Sequence, residues 1–481
     1  MKLGPVEFLA LILLPLVLGV AVLRALGIRH RTDPLAFLGW AWVAGGLGTG
    51  LILYVWLWTG PDLGSGLVPS LALLASSGVL FFLGRRTETV PGEHPLRAAE
   101  PAWEQVFCRM AIAFVIFLTV ERIMTGTLIP MIAGDGAGIW GLKSKAIYAS
   151  SGFTPKLAER MSQRIFVQKD YPLLNPLLQL WTFVNAGEIT HVANRLPIQL
   201  FTLAQPLIVV SALLRVVRPG IAGLLALALV APSNSFFQTR LAASDAMVGL
   251  GAVMAFDAWI RWRRGGRPAW IGLGALALAF MLWSKNEGML YLASMIAAPA
   301  LLLAVQPRRW SFRFRPRGRH AWMLLPLLVL CLHWSFNRSL GFSSTISKAP
   351  EGNLLHLFWS QLGSYSPEVL GYFAAEIALN PSHSNLFVPC LVVLVLAFPR
   401  AIWRTELRPP TLALCFAYLG LLAAFIATPA RNVAWQLDTA AHRVFFQLYP
   451  VTVLWLGYTA GSLFSRLATG REGELAAVSP T

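Results

Sequence analysis

The sequence predicts an all-α polytopic membrane protein with about 13 transmembrane helices and interfacial helices on the outer face. Three observations carry that reading. The 481-residue chain is 56% hydrophobic and only 13% charged, with 18 tryptophans, which is too apolar for a soluble chain of this length. Its apolar residues gather in runs long enough to span a bilayer. Its arginines fall in short clusters between those runs, so the formal charge of +17 reports topology rather than a nucleic-acid partner. Cys108, Cys331, Cys390 and Cys415 are scattered through hydrophobic stretches, and the eight histidines form no HxxxH pattern. Neither a disulfide framework nor a metal centre is expected.

The first three helices are expected over Pro5 to Leu26, Leu35 to Trp58 and Leu63 to Gly84. Pro5 to Leu26 is longer than a signal-peptide core and lacks a small-residue cleavage site, so it reads as a membrane helix. Arg24, Arg29 and Arg31 put the following loop inside by the positive-inside rule, and the N-terminus outside. A fourth helix, Val106 to Ile129, then delivers the next loop to the outer face. Later clusters agree with this count: Arg215 and Arg218, Arg261 to Arg267, Arg308 to Arg319, Arg400 to Arg408, and Arg466 with Arg471 all fall inside. The organisation expected is N-terminal helices over 1–105, a membrane core over 106–337 with a first outer loop at 130–194, an outer loop at 338–385, C-terminal helices over 386–465, and a disordered tail at 466–481. Within the outer segments, Tyr171 to Gly187 is apolar but too short to span and reads as an interfacial or partly inserted helix. Two amphipathic pieces are expected around Leu354 to Leu362 and Pro367 to Leu379.

The stretch Pro130 to Gly152, PMIAGDGAGIWGLKSKAIYASSG, interrupts the hydrophobic pattern with an aspartate, a tryptophan and two lysines. Asp135 sits among glycines just before a short helix expected to begin near Ile139, with Trp140 and Lys143 on one face. A carboxylate able to take a proton, an aromatic surface and cations would suit group transfer from a phosphate-linked lipid. An ordinary solvated loop is the plainer reading of the same residues.

The outer segments together resemble the GT-C type of membrane glycosyltransferases, in the branch of the protein O-mannosyltransferases and the lipid A aminoarabinose transferase, which use polyprenyl-phosphate sugars. The residues that carry the resemblance are Asp135 with IWGLKSKAIY, YPLLNPLLQLW at Tyr171, NRLP at Asn194, FQTRLAASDA at Phe237, WSKNEG at Trp283 and AAHRVFFQLYP at Ala440. They cover roughly Thr119 to Leu303 and the last forty or so residues. The resemblance implies an enzyme at the outer face of a bacterial inner (plasma) membrane, moving a sugar from a polyprenyl-phosphate donor to an acceptor glycan, lipid or protein with inversion. Asp135 stands where the family has its general base. Protein O-mannosyltransferases usually carry an acidic pair there, whereas Gly136 follows here.

Lys285, at the N-terminal side of a helix where a cation gains nothing, is expected to hold the donor phosphate, with Arg443, Arg240 and Lys143 as further phosphate ligands and Arg195 a weaker one. Plain solvation, or snorkelling for Arg443, is the alternative. Asp245 is expected in a sugar or acceptor site or as a helix N-cap beside Ser244, and Glu287 in the same site or merely complementing a helix dipole. Trp140 and His442 are the other saccharide candidates. Asp257 reads as structural, since Arg261 stands four residues later. No organic cofactor is expected; a divalent cation bridging Asp135 and the phosphate remains an alternative. The rival classes are a transporter or flippase of lipid-linked sugars, against which stands the lack of an internal repeat, and a non-catalytic binder of them.

Overall fold

Helix boundaries follow local signals in the sequence. Prolines open several helices in the first turn, where their missing N–H costs nothing, and Gly27 closes the first in the left-handed conformation at φ 87°. In the computed structural model the described residues are 4–87, 89–90, 100–128, 136–163, 168–232, 235, 239, 241–306, 318–342, 354–380, 387–403, 406–427 and 433–477. Among them the regular structure is entirely helical. The helices used below are α1 (Pro5–Leu26), α2 (Pro34–Leu57), α3 (Leu67–Leu83), α4 (Ala102–Leu128), α5 (Leu142–Ala149), α6 (Pro155–Ser162), α7 (Leu174–Ala186), α8 (Leu196–Leu213), α9 (Pro219–Val230), α10 (Ser244–Gly265), α11 (Pro268–Ser284), α12 (Glu287–Val305), α13 (Leu325–Ser339), α14 (Leu354–Tyr372), α15 (Phe387–Ala397), α16 (Arg408–Ile426), α17 (His442–Phe446) and α18 (Tyr449–Ala477).

Five stretches are long and apolar enough to cross a membrane: α1, α2, Ala193–Leu213 (which includes α8), α12 and α16. The thirteen spans expected from the sequence therefore reduce, among the described residues, to five by this measure, with α3, α9 and α11 as shorter apolar helices. Helices such as α4 and α10 are long but carry several ionised residues, which lowers their hydropathy although their length would suffice. Val106, Met110, Phe114, Phe117, Val120, Met124 and Leu128 of α4 form an exposed apolar ridge at three- and four-residue spacing. An exposed ridge of that length suits lipid rather than water.

The interior is built around α2, α7, α8, α10 and α11. Between α1 and α2 the backbones touch: a Cβ on Gly19 would lie 1.7 Å from the Ala41 carbonyl oxygen, and one on Gly45 1.8 Å from that of Pro15. Only glycine permits this approach. The α7 helix, within the segment expected to be interfacial or partly inserted, is buried on every side from Leu174 to Val184 and forms an internal strut. Its polar side chains Asn175 and Gln179 are buried with the apolar ones and bond to each other. The two amphipathic pieces expected after residue 350 are one helix, α14, which runs through Pro367 and continues as a π-helical turn, Phe373–Ala378. The final helix α18 runs on to Ala477 through part of the tail expected to be disordered, where Ala, Leu, Arg and Glu favour helix.

One end of α10 is held by a buried cluster of four charges. Arg215 bridges Asp33 (2.7 Å) and Asp257 (2.5 Å), and Arg261 bridges Asp257 (2.8 Å) and Asp33. Ser211 donates to Asp33, and Tyr458 donates to Asp257 at 3.1 Å. The Arg261 guanidinium lies between Trp40 and Trp270, 4.7 Å from each ring centre. Two carboxylates and two guanidiniums leave the cluster neutral, and it ties together α2, α8, α10 and α18. Asp257 is thus structural, as the sequence indicated, but its partners extend well beyond Arg261. Replacing Asp257 by Ala leaves two guanidiniums short of a partner in the interior and is expected to cost about 3–5 kcal/mol. Thermal unfolding of the detergent-solubilised variant checks this; a double replacement, Asp257→Leu with Arg261→Met, is expected to cost less than the sum of the singles.

Candidate functional site

The opposite end of α10, about 18 Å away by helical rise, carries the second buried charge cluster. Asp245 lies in the first turn and is 1% exposed. Lys285 sits in the two-residue link between α11 and α12, in extended backbone, and its ammonium lies 2.8 Å from both Asp245 Oδ1 and Glu287 Oε1. Gln447, between α17 and α18, donates to Asp245 Oδ1 at 2.5 Å. Tyr291 on α12 donates to Gln447 Oε1 at 2.9 Å and extends the chain. Gly249 makes the Gln447 contact possible, since a Cβ there would meet the Gln447 carbonyl oxygen at 2.8 Å. Asp245 also lies within electrostatic reach of Arg443.

Neither Ser244 nor Asp245 caps α10: the cap position is Ala243, and no side chain bonds to it. Asn175 on α7 instead holds this end, donating to the Ala242 carbonyl and to Ser244 Oγ, both at 3.0 Å. Gln179 donates to Asn175 and Asn194 donates to Gln179, at 2.9 and 2.7 Å, a fully buried amide chain. It supports Ala242 in a left-handed conformation at φ 49°, which a residue with a Cβ adopts at a cost of about 1–2 kcal/mol. The strained turn aims the first turn of α10, and with it Asp245, at Lys285.

A second group meets this one through residues 169–171. Trp140 is buried in the π-helical turn Gly136–Gly141, and its ring packs on Tyr171 with centres 5.4 Å apart. Lys143, three residues on, is buried and donates to the carbonyls of Tyr171 (2.8 Å) and Lys169 (3.2 Å). The short helix expected to begin near Ile139 already includes Gly136, the first described residue of this stretch, and both its functional candidates turn to the same segment. Asp170, also buried, accepts from Asn286 Nδ2 at 3.4 Å, and Tyr171 lies within electrostatic reach of Lys285.

Of the residues expected to hold phosphate, Lys285 is engaged by two carboxylates and Lys143 by two carbonyls. The anion that Lys285 called for is supplied by the chain itself. Arg443 and His442 open α17 half-buried, with Arg443 Nε donating to the Thr439 carbonyl at 3.0 Å. Asp135 and Arg240 lie outside the described residues. The expected saccharide residues Asp245 and Glu287 come together; Trp140 is too buried to offer a free face and instead backs the half-buried Tyr171. Sequence reasoning did not single out Asp170, Asn286, Tyr291 or Gln447, because each works through a partner distant in the chain. Among the described residues no three His, Cys, Asp or Glu side chains form a metal-ligand set.

Burial depresses the Lys143 ammonium to about 7, with Asp170 opposing only in part. At Lys285 burial acts in the same direction, yet Asp245 and Glu287 outweigh it and raise the pKa above the usual lysine value. The two lysines are therefore electrostatic opposites: Lys285 is a fixed cation, and Lys143 a group poised to lose its proton. Compared with protein-family models, with curated proteins and with solved structures, the chain matches none.

Because the unfolded Lys143 holds its proton up to its ordinary pKa of 10.5, the unfolded state binds more protons than the folded one above about pH 7. Stability is expected to rise with pH from about 7 to about 10, and Lys143→Met is expected to flatten that rise. Unfolding midpoints of the two proteins across that range check it.

Proposed function

We propose that the chain is a GT-C type glycosyltransferase of a bacterial inner membrane, with its spans, about 13 by the sequence count, placing the site at the outer face. The observation that supports it most is the union of Asp245, Lys285 and Glu287 with Asp170, Tyr171 and the Trp140–Lys143 turn at one end of the helical core. These elements come from four separate segments of the chain, and they join fixed charge, hydrogen-bonding groups and aromatic surface. Asp135, the proposed base, lies outside the described residues and is assigned from the sequence, where it directly precedes the Gly136–Gly141 turn.

The donor is a polyprenyl-phosphate sugar, whose phosphodiester carries one negative charge. Arg443 and Lys285 offset that charge, with Arg240 and Lys143 as further contributors; the phosphate would take the place of one carboxylate partner of Lys285. The acceptor, a hydroxyl of a glycan, lipid or protein, loses its proton to the Asp135 carboxylate as its oxygen attacks the anomeric carbon. The bond from that carbon to the phosphate oxygen breaks, the electron pair stays with the phosphate, and the configuration inverts. The reaction requires no organic cofactor. The isoprenoid chain lies between helices, where apolar length alone suffices.

Asp135→Asn is expected to reduce transfer of labelled sugar from polyprenyl-phosphate donors to membrane-extract acceptors about 100- to 10,000-fold while donor binding persists. Wild-type protein that binds donors without transferring sugar would favour a lipid-sugar binder or flippase instead.

A further inference from the structure

Three oxygen acceptors in the site are buried without a hydrogen-bond partner: Asp170 Oδ1, Asn286 Oδ1 and Glu287 Oε2. Such orphans are uncommon, and each costs about 1–3 kcal/mol if nothing donates to it. Their placement is connected. Asn286 reaches Asp170 through its amide nitrogen, Glu287 follows it in the chain, and the other oxygen of Glu287 is held by Lys285. Asp170 is only 3% exposed, and its second oxygen faces Asn286, so the carboxylate is fixed from one side. Next to it stands the half-buried Tyr171, whose ring packs on Trp140.

We infer that Asp170 and Asn286, with the free oxygen of Glu287, form the subsite that reads the ring hydroxyls of the donor's sugar, Tyr171 supplying the apolar wall. This rests on the glycosyltransferase reading above and adds to it the residues that set sugar specificity. A neutral ligand presenting several O–H donors in fixed geometry matches several fixed acceptors, and the C–H face of a sugar ring matches an aromatic ring. A divalent cation fits less well, because the Lys285 ammonium already occupies one side of the same oxygen cluster. Hydrogen bonds to charged acceptors contribute about 1.5–3 kcal/mol each, so losing those of Asp170 is expected to weaken sugar recognition by roughly 10- to 100-fold.

The test is binding of polyprenyl-phosphate hexoses, a polyprenyl-phosphate pentose and bare polyprenyl phosphate to the purified full-length protein in nanodiscs. The wild type is expected to bind at least one glycosylated carrier roughly tenfold or more tightly than the bare carrier. Asp170→Ala and the isosteric Asp170→Asn, with Asn286→Ala, are expected to remove that preference while bare-carrier affinity is kept, which also shows that the variants fold. A preference that survives in the variants overturns the subsite, as does a wild type that transfers sugar without any such preference; in both cases the glycosyltransferase reading stands. A preference that appears only with added Mg2+ and vanishes with chelator assigns the oxygens to a metal and overturns the hydroxyl reading. A wild type that binds no carrier at all removes both proposals together.

Discussion

Charge buried at both ends of α10 is the constraint that the rest of the structure answers. This helix is enclosed along almost its whole length, so neither Asp245 nor the Asp257–Arg261 pair can rely on water. At one end two aspartates and two arginines neutralise each other and draw α2, α8 and α18 to the helix. At the other, Lys285 brings the α11–α12 link, and Gln447 brings the junction of α17 and α18. The two clusters differ in one respect. The first is closed, each carboxylate matched to two guanidiniums, whereas the second leaves acceptor oxygens on Asp170, Asn286 and Glu287 without donors. The first cluster is satisfied within the protein; the unpartnered oxygens of the second are the ones proposed to take a ligand.

How the open cluster is held matters as much as what it contains. Asp245 depends on the left-handed turn at Ala242, that turn on Asn175, and Asn175 on an amide chain through Gln179 to Asn194. The buried strut α7 that carries Asn175 and Gln179 follows directly from the segment bearing Asp170 and Tyr171. A single short stretch of chain therefore positions α10 from behind and presents the aromatic ring and acceptors in front. Lys143 fastens the same stretch to α5 through two carbonyls, to which its amine can donate with or without the third proton.

Much of this was legible in the sequence where the signal is local. The first helices fall within a few residues of their expected bounds, because apolar runs, prolines and Gly27 mark them. Trp140 and Lys143 share a face, and Asp257 pairs with Arg261 one turn on. Long-range partners were not legible: nothing in the neighbourhood of Asp33 announces Arg215 or Arg261, and Gln447 gives no sign that it meets Asp245. Lys285 illustrates the boundary well. Its need for an anion followed from its place beside a helix N-terminus, but only the fold shows that Asp245 and Glu287 meet that need. The full enclosure of α7, in a segment expected to be interfacial or partly inserted, was not legible for the same reason, since length and apolarity do not say what covers a segment.

The lipid-linked sugar is proposed to sit between the 169–171 segment and the 285–287 link. The most direct measurement is photo-crosslinking with a polyprenyl-phosphate sugar carrying a photoreactive group on the sugar ring, followed by peptide mapping of the full-length protein in membranes. Labelling concentrated on the peptides that hold Asp170 and Tyr171, and Lys285 to Glu287, and competed away by unlabelled donor, is the result predicted. Labelling confined to the opposite end of the core, near Arg215 and Arg261, would contradict it.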